Sequence, residues 1–148
     1  MRRISVLLAV FAVMFVGIAA AASATPPQPL TIDTTPGLVF GEGDFSSNIP
    51  GCPSGTWTDD FATVKVSGNE AKLTLNIKVS KTLVCDGDGG EFVIRFLPKL
   101  RRVDPTMQEG PWRIASGMIG DDKVHGTGWM VFDGLDLTEK FTGKIHIG

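Results

Sequence analysis

The sequence predicts an all-β fold, an antiparallel barrel of seven or eight short strands, and three observations predict it. First, Leu73, Leu75, Ile77 and Val79 alternate with Lys72, Thr74, Asn76 and Lys78. A period of two marks a strand with one buried and one wetted face. Second, such runs recur at near-regular spacing, separated by turns drawn from the chain's 18 glycines. Third, no stretch after residue 24 keeps helical spacing. A β-sandwich is the alternative reading, but glycines within the strands suit a strongly curved sheet and favour closure.

The elements follow in order. Arg2 and Arg3, an uncharged apolar run from Ile4 to Ile18 and the small residues Ala22-Ser23-Ala24 form the three-part layout of a signal peptide, residues 1–24. The run is short for a membrane span, which needs about 20 apolar residues. Cleavage after Ala24 would remove two arginines and take the net charge from −2 to −4. The remaining 124 residues suit one core. Residues 25–37, rich in proline, read as a flexible tether, and 38–148 as a single barrel domain. A secreted or cell-envelope location is therefore expected. A mildly acidic, mixed surface excludes a nucleic-acid partner and gives no support for an anionic membrane once the signal is removed.

Leu38-Val39-Phe40 reads as a first short strand, and Ser46 to Gly55 as a turn-rich arm. Thr56 to Val66 is a strand whose pattern slips near Ala62, as a β-bulge would make it. After the Ser67-Gly68-Asn69 turn comes the alternating strand described above. Asp86-Gly87-Asp88-Gly89-Gly90 is the tightest turn signal. A strand from Glu91 to about Arg102 follows, with Phe92, Ile94, Phe96 and Leu100 inward; Pro98 marks an edge, bulge or rim within it. Asp104 to Gly110 reads as a loop. Strands start again at Trp112 and Gly126, and Phe141 to Ile147 closes the chain. Cys52 and Cys85 are the only cysteines, and in an oxidising compartment they suit one structural disulfide.

Candidates for chemistry are few. Asp86, Asp88 and Glu91 form part of an oxygen-ligand set for Ca²⁺, which Asp121 and Asp122 would complete only if the fold brought them close. The bland reading is that Asp and Gly favour the turn. His125 and His146 would be neighbours if the last two strands pair, but two imidazoles fall short of a zinc site. Lys99, Arg101 and Arg102, joined by Arg95 and Arg113 if the strands bring them close, form a basic knot that could grip a carboxylate or phosphate; the bland reading is a solvated strand end. Trp57, Trp112 and Trp129 are core residues or the walls of a groove. No serine sits in a nucleophile elbow, and no phosphate loop is present. No cofactor is expected.

Five motifs carry a resemblance. They are Cys52-Pro53-Ser54-Gly55-Thr56, Cys85 to Phe92, Trp112 to Gly117, Val124-His125-Gly126-Thr127-Gly128 and Phe141-Thr142-Gly143. Over about Cys52 to Gly148 the chain resembles small exported bacterial proteins with an allene oxide cyclase-like β-barrel, most without an assigned activity. It departs from them at Ser116-Gly117-Met118-Ile119-Gly120, where they tend to carry Gly-Thr-Gly and an aromatic residue. The resemblance implies a barrel and, by way of the plant cyclases, an apolar cavity; no site residue carries over. The expected function is a non-catalytic exported barrel that binds an apolar small molecule or an envelope component. The alternative is an isomerase or cyclase-like enzyme acting on an apolar substrate inside the barrel.

Overall fold

The computed structural model describes residues 25–69, 74–101 and 104–148. The expected signal peptide lies outside the described residues. The strands are β1 (Gln28–Pro36), β2 (Glu42–Ile49), β3 (Cys52–Ser67), β4 (Thr74–Cys85), β5 (Glu91–Phe96), β6 (Lys99–Arg101), β7 (Asp104–Ile119), β8 (Asp122–Asp133) and β9 (Thr138–Ile147). They form one antiparallel sheet in which successive strands pair, save that β5 and β6 each pair with β4 and β7 and not with one another, and β9 returns to pair with β1. The result is a closed barrel of eight staves, because β5 and β6 both lie between β4 and β7 and serve as halves of one stave. Leu97-Pro98 breaks that stave, since proline brings no ladder donor.

Alternation fixes what points inward. Leu30 and Ile32 from β1, Phe92, Ile94 and Phe96 from β5, and Phe141 and Ile145 from β9 are all buried in one cluster. Closure gives every inward face the same interior, so side chains fill it as in other small barrels. Phe141 sits among Phe96 and Trp112, edge to face, with ring centroids 5.3 and 6.2 Å away. Burial of such rings is the main stabilising term here.

Both core indoles are seated by one device. Trp57 stands opposite Gly43, and its Nε1–H is shared by the carbonyls of Thr35 and Asp44, each at 3.1 Å. Trp112 stands opposite Gly128, and its Nε1–H is shared by the carbonyls of Trp129 at 3.2 Å and Thr142 at 3.1 Å. A Cβ on Gly43 would lie 2.9 Å from the Trp57 nitrogen, and one on Gly128 would lie 2.7 Å from the Gly143 Cα. Glycine is thus required where an indole or a neighbouring strand approaches.

The Cys52–Cys85 disulfide forms, with the two Cα atoms 5.1 Å apart. It joins the start of β3 to the end of β4 beside the β2–β3 turn. The bulge expected near Ala62 lies at Asp60, where the β3–β4 register shifts.

Four sequence-based boundaries need correction. Most of the expected tether is β1, whose Leu30, Ile32 and Thr34 are buried. Its prolines obscure a short alternation. Leu38-Val39-Phe40 is not a strand: it occupies the exposed β1–β2 turn. The expected loop from Asp104 to Gly110 is instead the first half of β7, and the turn-rich arm from Ser46 is the β2–β3 hairpin.

Candidate functional site: a buried lysine and an outer cationic cleft

Among the described residues, one polar cluster occupies the interior. Odd-numbered residues of β4 face inward, from Ile77 and Val79 to Leu83 and Cys85, and the same parity turns Lys81 inward. Only 1% of its side chain is exposed. Lys81 stands opposite Asp59 on β3. Across the barrel, β9 presents Glu139 opposite Thr34 of β1. The Lys81 Nζ lies 2.7 Å from Glu139 Oε2, 3.4 Å from Asp59 Oδ1 and 3.2 Å from the Trp57 ring centroid. Thr34 Oγ1 donates to Glu139 Oε2 at 3.4 Å and accepts from the Glu139 backbone N–H at 3.1 Å.

The electrostatics are tightly coupled. Burial pushes the Glu139 carboxyl above the usual glutamate range, and the nearby Asp59 carboxylate adds to this. The Lys81 ammonium and the Thr34 hydroxyl oppose the rise. Two carboxylates and the indole face surround the ammonium, which has three donors to offer. Among the described residues, Asp59 Oδ1 has no partner apart from Lys81. The arrangement acts as an ionic crossbar between opposite walls, with the lysine fully engaged.

A second feature lies on the outside. β4, β5, β7 and β8 floor a cleft of about 710 Å³. Arg95 and Arg113 are directly opposite one another, and Thr127 follows Arg113 across the next pair. Lys78 stands beside them, while Phe61, Leu97 and Pro111 supply an apolar wall. Phe96 and Trp112 underlie the cleft and are themselves buried. Among the described residues, Lys78, Arg95 and Arg113 have no ion-pair partner. Like charges directly opposed across two strands destabilise a sheet.

The other sequence candidates are placed as follows. Asp86 accepts from the Ser54 hydroxyl at 2.6 Å, which ties the turn to β3. Asp86, Asp88 and Asp122 border one open depression at the disulfide end. Glu91 is instead opposite Met118 on the β5–β7 pair. Among the described residues no three acidic, histidine or cysteine side chains converge as a metal set. His125 and His146 are direct cross-strand neighbours. Of the basic knot, Arg95 and Arg113 meet, Lys99 pairs with Glu109 in register, and Arg102 lies outside the described residues. Trp57 and Trp112 are core; Trp129 is half exposed, its Nε1–H directed to Glu109 at 3.4 Å.

The Lys81 crossbar was missed in the sequence, although its signal was present. Extending the alternation of Leu73 to Val79 by one more step reaches Lys81. Comparison of the chain with family models, characterised proteins and solved structures finds no match.

Proposed function

We propose that this chain is an exported, non-catalytic binding protein that works with the outside of its barrel. The cleft takes an anionic group, carboxylate or phosphate, attached to an apolar body. One observation carries the reading: Arg95 and Arg113 oppose one another in a cleft whose walls, among the described residues, carry no acidic side chain. A bound anion would relieve their repulsion through forked hydrogen bonds. Phe61, Leu97 and Pro111 offer the apolar contact, and the volume lies within the range of small-molecule sites. Export is supported by the basic, apolar and small-residue layout of residues 1–24 and by the disulfide. The likeness to allene oxide cyclase-like barrels belongs to this proposal and rests on the motifs of turns, cysteines and one tryptophan.

Thermal denaturation with octanoate, octanol, sulfate and phosphate at fixed ionic strength tests the reading. Octanoate should raise the Tm, octanol should not, and Arg95→Ala/Arg113→Ala should remove the response. Equal responses to octanol and octanoate, or an unchanged response in the double variant, would sink it. The enzyme alternative draws on one observation, the proton-favouring Glu139 inside the barrel. It requires a substrate to displace Lys81 from that carboxylate.

A further inference from the structure

The crossbar brings together a reactive set of groups as well as a stabilising one. Lys81 Nζ has Glu139 Oε2 at 2.7 Å, Asp59 Oδ1 at 3.4 Å and the Trp57 ring centroid at 3.2 Å. An amine becomes a nucleophile once it gives up its proton. A carboxyl carbon is an electrophile, and a second carboxyl within hydrogen-bond reach can carry the proton between them. The two acidic partners are not equivalent. Glu139 is held in place: Thr34 Oγ1 donates to its Oε2, and its backbone N–H donates to the same hydroxyl oxygen. Asp59 Oδ1 is buried and, among the described residues, meets only Lys81. Asp59 also stands directly opposite Lys81 on the neighbouring strand, and the register slips immediately after it. Bulges of this kind re-aim the side chains beside them.

We propose that the Lys81 amine and the Asp59 carboxyl condense to an amide that joins β4 to β3 covalently, with Glu139 as the proton carrier. The Lys81 ammonium passes one proton to Glu139, and the neutral nitrogen attacks the Asp59 side-chain carbon. A C–N bond forms and a C–O bond breaks. Glu139 hands its proton to the departing oxygen, then relays a second one from the nitrogen, and the oxygen leaves as water. One cation and one anion become a neutral amide, and Glu139 ends as it began. Burial favours this direction, because two charges held away from water are replaced by an uncharged group. Fixed proximity removes the encounter that makes the same condensation slow in solution. Burial also pushes the Glu139 carboxyl above the usual glutamate range, which suits it to accept the proton. The ion pairs are the starting state, so the reaction draws on the minor population in which the proton has moved. It therefore follows folding slowly, and freshly folded protein holds the open crossbar. The outer cleft takes no part, so this inference stands independently of the proposed ligand.

Intact-mass spectrometry of freshly folded and long-incubated protein tests it. Wild type should lose the mass of one water with time, and Asp59→Ala and Lys81→Met should not. Glu139→Gln keeps both reacting groups and should react about a hundredfold more slowly. A tryptic digest after reduction of the Cys52–Cys85 bridge locates the bond. Cleavage after Lys81 should fail, and the peptide spanning Val79 to Arg95 should carry the one that ends at Lys65. That assignment is made on wild type, so it does not depend on any variant folding. Four results overturn the proposal. The first is a wild-type mass unchanged by incubation, and the second is a link from Lys81 to Glu139. The third is water loss that persists in Asp59→Ala, which would place it at an aspartyl-glycine such as Asp86-Gly87 closing to a cyclic imide. The fourth is a Glu139→Gln rate equal to that of wild type.

Discussion

Replacing Lys81 with methionine tests the crossbar most directly. Methionine keeps an unbranched side chain of similar length, so little cavity is created. What is removed is, among the described residues, the only cation paired with Glu139 and Asp59, whose side chains are 14% and 32% exposed. Breaking a buried ion pair from one side costs about 3–5 kcal/mol, because the remaining charge is left unpaired. Loss of the cation–π contact with Trp57 adds to this. Two routes relieve the loss. Asp59 can turn to water, and Glu139 can take up a proton, as its raised pKa already favours. The expected loss at pH 7 is therefore near the lower bound, about 3 kcal/mol. It should shrink on acidification, as Glu139 takes up its proton. Urea unfolding at pH 7 and at a series of lower pH values measures it. Lys81→Met/Glu139→Gln should recover most of the loss, because the main unpaired charge is gone. A single variant within about 1 kcal/mol of wild type at pH 7, far inside the expected penalty, would refute the reasoning. So would a loss that does not diminish on acidification.

Three further outcomes are expected. The Glu139 carboxyl should titrate above the ordinary glutamate range in a carbon-detected NMR titration, lower in Asp59→Asn and higher in Lys81→Met. Because folding raises this pKa, the stabilisation linked to it is complete below the unfolded value and fades as pH rises through the folded one. Gly128→Ala should cost about 1–3 kcal/mol in urea unfolding, since the new Cβ meets backbone of β9 that cannot turn aside. Opening the Cys52–Cys85 bridge, which spans 33 residues, should lower stability by about 3–4 kcal/mol by the chain-entropy relation. A denaturant midpoint unmoved by dithiothreitol would contradict that.

Strands were legible where alternation ran unbroken. Phe92, Ile94 and Phe96 declare β5, and Phe141, Ile145 and Ile147 declare β9, because these inward residues are large and apolar. β1 was hidden because Thr34 is polar and Pro26, Pro27, Pro29 and Pro36 crowd the same stretch. Proline is tolerated at strand ends, so its presence did not exclude pairing. The first half of β7 was obscured in the same way by Pro105 and Pro111. Lys81 was illegible for a different reason. Its position is periodic, but a lysine is seldom buried unless it is paired. Its partner Glu139 lies on β9, 58 residues further along the chain. Arg95 and Arg113 looked like a solvated strand end until the register set them face to face. Pairings across the barrel are a property of closure, and local patterning does not encode them.

The seam between β1 and β9 also constrains how the molecule is made. Thr34 meets Glu139 across a separation of 105 residues, so the earliest stave to leave the ribosome waits for the latest. Until then two unpaired ladders face the solvent, each able to recruit a stray chain. Contacts this distant in sequence slow assembly. A chain cut short before Thr138 would lack the final stave and leave the ring open, with the crossbar's glutamate gone as well.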